Sequence, residues 1–201
     1  YPVKPNDYSL ARYKITNADF DIYLKAHQQY RNPYGKDQSY AYQTWQKRSQ
    51  IPHLPAHLSW QQAEDYCQWL GKQSGQPVHL PTEAQWEYAA RNRGQQIGFM
   101  TNNGAIEPGK NVPDYDSLEE NMYHFGSMNV DVGLFPPNPL GIYDLSGNGV
   151  EWIFDNYQAR KEDKTVVVDP TGPASLSYTS VGPAKVTRPL KGVASESGIG
   201  V

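Results

Sequence analysis

The sequence is poor in cysteine: Cys67 stands alone among 201 residues. An internal disulfide is therefore excluded, and the redox compartment is left open. Long apolar runs are absent as well, with no stretch near the roughly 18 residues of a membrane-spanning helix. Lys and Arg never cluster, and the formal net charge is -3, which argues against a nucleic-acid partner, since backbone binding needs a concentrated basic face. Tyr1 does not open the basic and apolar regions of a signal peptide. An initial Met is missing too, as in a mature form or a trimmed fragment. Internal repeats are not visible, and the least structured stretch by composition, 158–184, reads as a surface excursion.

What the chain does have is 38% hydrophobic content, enough for one sizeable core. A single domain over 1–201 is the expectation, with room for truncation at one or both ends. Sixteen Pro and seventeen Gly are scattered along it, which implies many turns and irregular connections. Fifteen Tyr and five Trp must then supply much of the packing. The expected class is a loop-rich α+β domain with short helices and short antiparallel strands.

Helix caps place three of those helices. Thr16 precedes NADFDIYLKAHQQY, with Asp19 at the third helical position and Phe20, Tyr23, Leu24 and His27 on one face that should be buried. Ser59 opens WQQAEDYCQWLGK with Gln62 three residues on, a capping box that sets Trp60, Ala63, Cys67 and Leu70 inward. Cys67 then reads as a small core residue. Thr82 opens EAQWEYAAR with Gln85 in the same relation, and Trp86, Ala89 and Ala90 form its buried stripe. Ahead of the first helix, YSLARYKI alternates like a strand.

The stretch DLSGNGVEW, 144–152, brackets flexible residues with two carboxylates. One reading is a calcium loop, because Ca²⁺ takes six to eight oxygens and an irregular loop can supply carboxylates and inward carbonyls together. Asp144 and Glu151 would bring the charge, and Gly147 and Gly149 have the backbone freedom to aim a carbonyl. The other reading is a tight Asn148-Gly149 turn between strands IYDL and VEWIF. On spacing alone the turn is the better account, because calcium loops of the helix–loop–helix kind carry more acidic ligands.

LPTEAQWEYAAR at 80–91, FPPNPLGIYDLSGNGVEW at 135–152 and YKITNADF at 13–20, together with WQQAEDYCQWLGKQSG, resemble the formylglycine-generating enzyme (sulfatase-modifying factor) family. The resemblance runs over most of the chain. It implies a C-type-lectin-like fold, low in regular structure, often stabilised by Ca²⁺. It also implies one calcium site at Asp144 and Glu151 through side chains and at Gly147 and Gly149 through carbonyls, which turns the preference towards the calcium reading. A second family site falls on Asn111 and Val112 in GKNVPDY, with Phe125 as a further carbonyl donor and the position of its Asp near Tyr123 and His124. The sequence departs from the family at Gly149-Val150, where a bulky pair is usual.

The chemistry departs further. Active members bind copper through two cysteines near the C-terminus, thiolate being the soft ligand that Cu(I) prefers. Here KVTRPLKG is followed by VASESGIGV, with Ser195 and Ser197 near the first expected cysteine. A serine hydroxyl is a hard, weak ligand, so copper and formylglycine formation are not expected of this chain. The remaining polar residues offer no substitute. His53 and His57 are kept off a common helix face by Pro55. His79 and His124 are isolated, and Glu83 and Glu87 favour the dipole at the start of their helix. The aromatic stretch YRNPYGKDQSYAYQTW, 30–45, is equally suited to be a recognition loop or a cover for the core.

The expected function is therefore a calcium-stabilised, noncatalytic binding or structural module, with a protein or peptide partner. The alternative is an enzyme of the same family, either a formylglycine generator whose cysteine pair lies beyond Val201 or a relative running a cysteine-independent reaction. Calcium sites of this kind fill near millimolar ion, which points to an extracytoplasmic location.

Overall fold

The computed structural model describes residues 3–4, 6–28, 40–114, 129–155, 167–168, 170 and 190–191. Tyr123, His124, Phe125, Ser195, Ser197 and, apart from 167–168 and 170, the 158–184 stretch lie outside the described residues. Among the described residues four helices carry the regular structure: α1 (Asn17–His27), α2 (Tyr40–Arg48), α3 (Trp60–Ser74) and α4 (Glu83–Ala90). The strands are two residues each: β1 (Val3–Lys4), β2 (Glu151–Trp152), β3 (Val167–Val168) and β4 (Leu190–Lys191).

Each predicted cap is in place. Thr16, Ser59 and Thr82 accept from the backbone N–H three residues on, and the side chains of Asp19, Gln62 and Gln85 reach back to the cap nitrogens. These reciprocal bonds satisfy two donors that a helix start would otherwise leave bare. At the far ends, α1 closes on Gln28 and α3 on Gly75, both in the left-handed region.

The core is aromatic. Phe20, Tyr23 and Leu24 of α1 meet Ala63 and Tyr66 of α3, with Ala56, Leu58 and Leu80 completing the cluster. Phe20 lies 5.3 Å from Tyr23 and 5.8 Å from Tyr66 between ring centroids, in tilted arrangements that suit the ring quadrupoles. Trp60, Cys67 and Leu70 are half-buried against this cluster, and His27 is exposed, its ring lying over Tyr23 at 4.4 Å. The expected burial of His27 fails because α1 leaves the core in its last turn. Trp86 and Ala90 of α4 build a second cluster with Leu145 and Ile153, which sets α4 directly under the DLSGNGVEW segment.

Three expectations are corrected here. YSLARYKI forms no strand: it makes single backbone bonds such as Ala56 N to Ile15 O at 2.8 Å, and an isolated bridge, Thr16 to Pro55, follows just past its end. Part of the 30–45 stretch is helical, as α2, and its Trp45 is 2% exposed, so that residue packs inward. Finally, among the described residues only the β2–β4 ladder is antiparallel, whereas β1 and β3 are parallel.

Candidate functional site

Four of the six residues in the 144–149 loop have positive φ. Asp144 has φ 60° and Asn148 φ 56°, with Gly147 at 119° and Gly149 at 89°. The two residues with a Cβ sit there at a cost, which Asx side chains offset by local bonding. Asp144 Oδ2 accepts the Gly133 N–H at 2.8 Å, and Asn148 Oδ1 accepts the Val130 N–H at 2.9 Å. The loop is thereby laced to 129–133, and a Cβ on Gly149 would lie 2.8 Å from Asn129 Nδ2. Residues 142–145 form no strand, and Glu151–Trp152 pairs with Leu190–Lys191. The tight hairpin between IYDL and VEWIF is therefore overturned.

The residues proposed as metal ligands divide into two groups. Asn111, Asp144 and Gly147 line one polar cavity of about 10 Å³, room for roughly one water molecule. Its Asn111 is already engaged: Oδ1 accepts the Glu107 N–H at 2.8 Å, and Nδ2 donates to Ala105 O at 3.0 Å. The carbonyl of Val112 accepts from Gly109 N at 2.8 Å. Burial pushes the Asp144 carboxyl above its ordinary range, while the Gly133 N–H and the Lys14 ammonium pull it back.

Glu151 is in the other group. Its Oε1 lies 2.5 Å from Lys14 Nζ and its Oε2 accepts Trp86 Nε1–H at 3.1 Å. The Lys14 side chain is 2% exposed. Two further indoles fix this region: Trp152 Nε1 donates to Leu58 O at 2.9 Å and Trp60 Nε1 to Ile153 O at 3.0 Å. Calcium at Glu151 would need carboxylate oxygens free to face it. Each already faces one donor, and one of the two is a buried cation, so a Ca²⁺ at Glu151 would have to compete with the Lys14 ammonium, which makes the residue a poor fit for the ligand role. Sequence reasoning passed over Lys14, and little could have exposed it, because its partner is 137 residues away.

The remaining candidates are quiet. Burial, with Glu64 beside it, pushes the Cys67 thiol up to about 12, so it stays protonated. His57 is held down to about 4 by burial and then by Arg48. Among the described residues no cluster of three His, Cys, Asp or Glu side chains is arranged to hold a metal. Nor is any described helix long and apolar enough to cross a membrane.

The profile of the sulfatase-modifying factor enzyme 1-like domain matches residues 2–193. The chain belongs to this family. Among curated relatives of this sulfatase-modifying factor type, the chain is 36% identical over 127 residues to the Bos taurus protein named inactive C-alpha-formylglycine-generating enzyme 2, covering 60% of this chain and 38% of that one. It is 32% identical over 153 residues to the Mus musculus formylglycine-generating enzyme, covering 73% and 37%. The chain thus spans less than half the length of these relatives. Among solved structures, PvdO from Pseudomonas aeruginosa aligns with a TM-score of 0.50 at 26% identity, over 73% of this chain and 56% of that one. The family fold is supported, and short helices with few strands are what the described residues show.

Proposed function

We propose that this chain is a noncatalytic binding or structural module on the sulfatase-modifying factor scaffold. The observation that carries the reading is the state of the thiol inventory. Cys67 is the single cysteine in these 201 residues, it packs against the α1–α3 cluster, and its thiol is kept protonated. Cu(I) capture by thiolates needs two soft ligands, and this chain offers one inert thiol. Similarity to a relative named inactive agrees with it.

Binding is supported by shape. Among the described residues, a cavity of about 180 Å³ is lined by Tyr13, Leu58, Tyr66, Leu80 and Trp152, with Lys14 and Glu151 also on its wall. Tyr13 and Tyr143, which also lines the cavity, stack at 4.6 Å, and Tyr13 is 47% exposed. Such aromatics give contact area at small entropic cost, which suits a protein or peptide partner. The extracytoplasmic location belongs to the same proposal and rests on the resemblance alone. Calcium at Glu151 is left out of it, because the residues present do not fit the ion there.

The test is incubation of the chain with copper, oxygen and a cysteine-containing sulfatase peptide, beside a family member that carries the cysteine pair. No aldehyde should form above the no-protein control. A mass change on the peptide matching conversion of cysteine to formylglycine, made by this chain, would overturn the noncatalytic reading.

A further inference from the structure

We propose that the Lys14 ammonium is the resident cation of the DLSGNGVEW segment, so that an internal ion pair does here what the resemblance assigns to bound calcium. The pieces are charge, burial and hydrogen bonding. Asp144 and Glu151 bring two negative charges, and Lys14 returns one positive charge at 2.5 Å from Glu151 Oε1. The second oxygen of Glu151 takes the Trp86 indole N–H, so each oxygen already has a donor and a metal would have to share the carboxylate with both. A divalent ion at Glu151 would stand beside a buried ammonium, where like charges repel more strongly than in water. To admit the ion, Lys14 would have to leave a site in which its side chain is 2% exposed. The chain supplies its own cation from the residue two before the α1 cap, and thereby couples the start of α1 to β2.

The inference goes beyond the noncatalytic reading and does not depend on it. The experiment uses the full chain and reads thermal melting. Wild type, stripped by a chelator, should melt at the same temperature with and without millimolar calcium. Lys14→Met keeps the stem and removes the charge, which strands Glu151. Breaking one side of a buried pair lowers melting by on the order of 10 °C in a chain of this size. Should Lys14→Met fail to fold, the same change is made on a Glu151→Gln background, where it should cost only a small fraction of that shift because no stranded charge remains. A calcium-dependent rise in wild-type melting would overturn the proposal. So would Lys14→Met melting with wild type, or losing as much on the Glu151→Gln background as alone.

Discussion

The Asp155 carboxylate accepts the backbone N–H of Glu83 at 2.7 Å, across 72 residues of sequence. Beside it, Phe154 N donates to Pro81 O at 2.9 Å. The first turn of α4 is thus closed from two directions, by the hydroxyl of Thr82 within the helix and by a carboxylate arriving just after β2. Negative charge at that end also favours the helix dipole.

Asp155 is 5% exposed, so removing its acceptor should leave a poorly solvated N–H behind. Asp155→Ala should cost about 1–3 kcal/mol, and Asp155→Asn, which still accepts, clearly less. Urea denaturation of the two variants checks this. Equal losses would mean that the side chain acts through its volume alone.

His57 should give the protein an acid-sensitive limb. Its folded value is lowered from 6.5 to about 4, by burial first and Arg48 second. Between those values the unfolded chain binds a proton that the folded chain refuses, so stability falls as pH drops through that window. The loss is complete near pH 4 and amounts to about 3 kcal/mol. Above pH 6.5 both states are neutral and nothing is lost. Subtracting the stability curve of His57→Gln from that of wild type should isolate this limb. A difference that stays flat from pH 7 to 4 would rule the assignment out.

Replacing Ser59 or Thr82 by Ala should cost about 0.5–2 kcal/mol, and by Asp much less, because Asp also accepts from the third helical N–H. Chemical denaturation decides between the two. Indistinguishable Ala and Asp variants would remove the capping argument, whatever the geometry at Gln62 N and Gln85 N.

The helices were legible because their information is local. A cap and its partner three residues on fix the start of α1, α3 and α4, and the spacing of Phe20, Tyr23 and Leu24 or of Trp86, Ala89 and Ala90 fixes the buried side. The helix at Tyr40–Arg48 is not legible in the 30–45 stretch because no cap residue introduces an apolar rhythm there, and Trp45, left open between a recognition surface and a core cover, packs inward. YSLARYKI has the alternation of a strand, but among the described residues no neighbour completes a ladder with it. The family was legible in the motifs, and the match over residues 2–193 bears that out.

At the site the sequence singled out Gly147 and Gly149 for their backbone freedom, and both have positive φ; the left-handed angles at Asp144 and Asn148 lie beyond that reading. Which way Glu151 faces was beyond reach. That depends on Lys14 and Trp86, far off in sequence and near in space, and no spacing rule connects them. Asn138 was missed for a related reason. Its carbonyl accepts from Leu140 N and Ile142 N while its amide donates to Ala89 O, so one buried side chain shapes the approach to the loop and ties it to α4.

The short β2–β4 ladder has a consequence for how this chain can change. Pairing Trp152 with Leu190 and Glu151 with Lys191 makes everything between them a tethered span whose ends are already held together. The entropy of closing such a span grows only with the logarithm of its length, roughly 0.6 kcal/mol for each doubling. Insertions and deletions between 156 and 189 that leave the Val167–Val168 pairing with Val3–Lys4 in place should therefore be absorbed cheaply, whereas a single residue added between 144 and 151 would shift Glu151 away from Lys14 and Trp86 at once. Length variation in descendants of this chain has one inexpensive place to accumulate, and it lies next to the segment that tolerates it least.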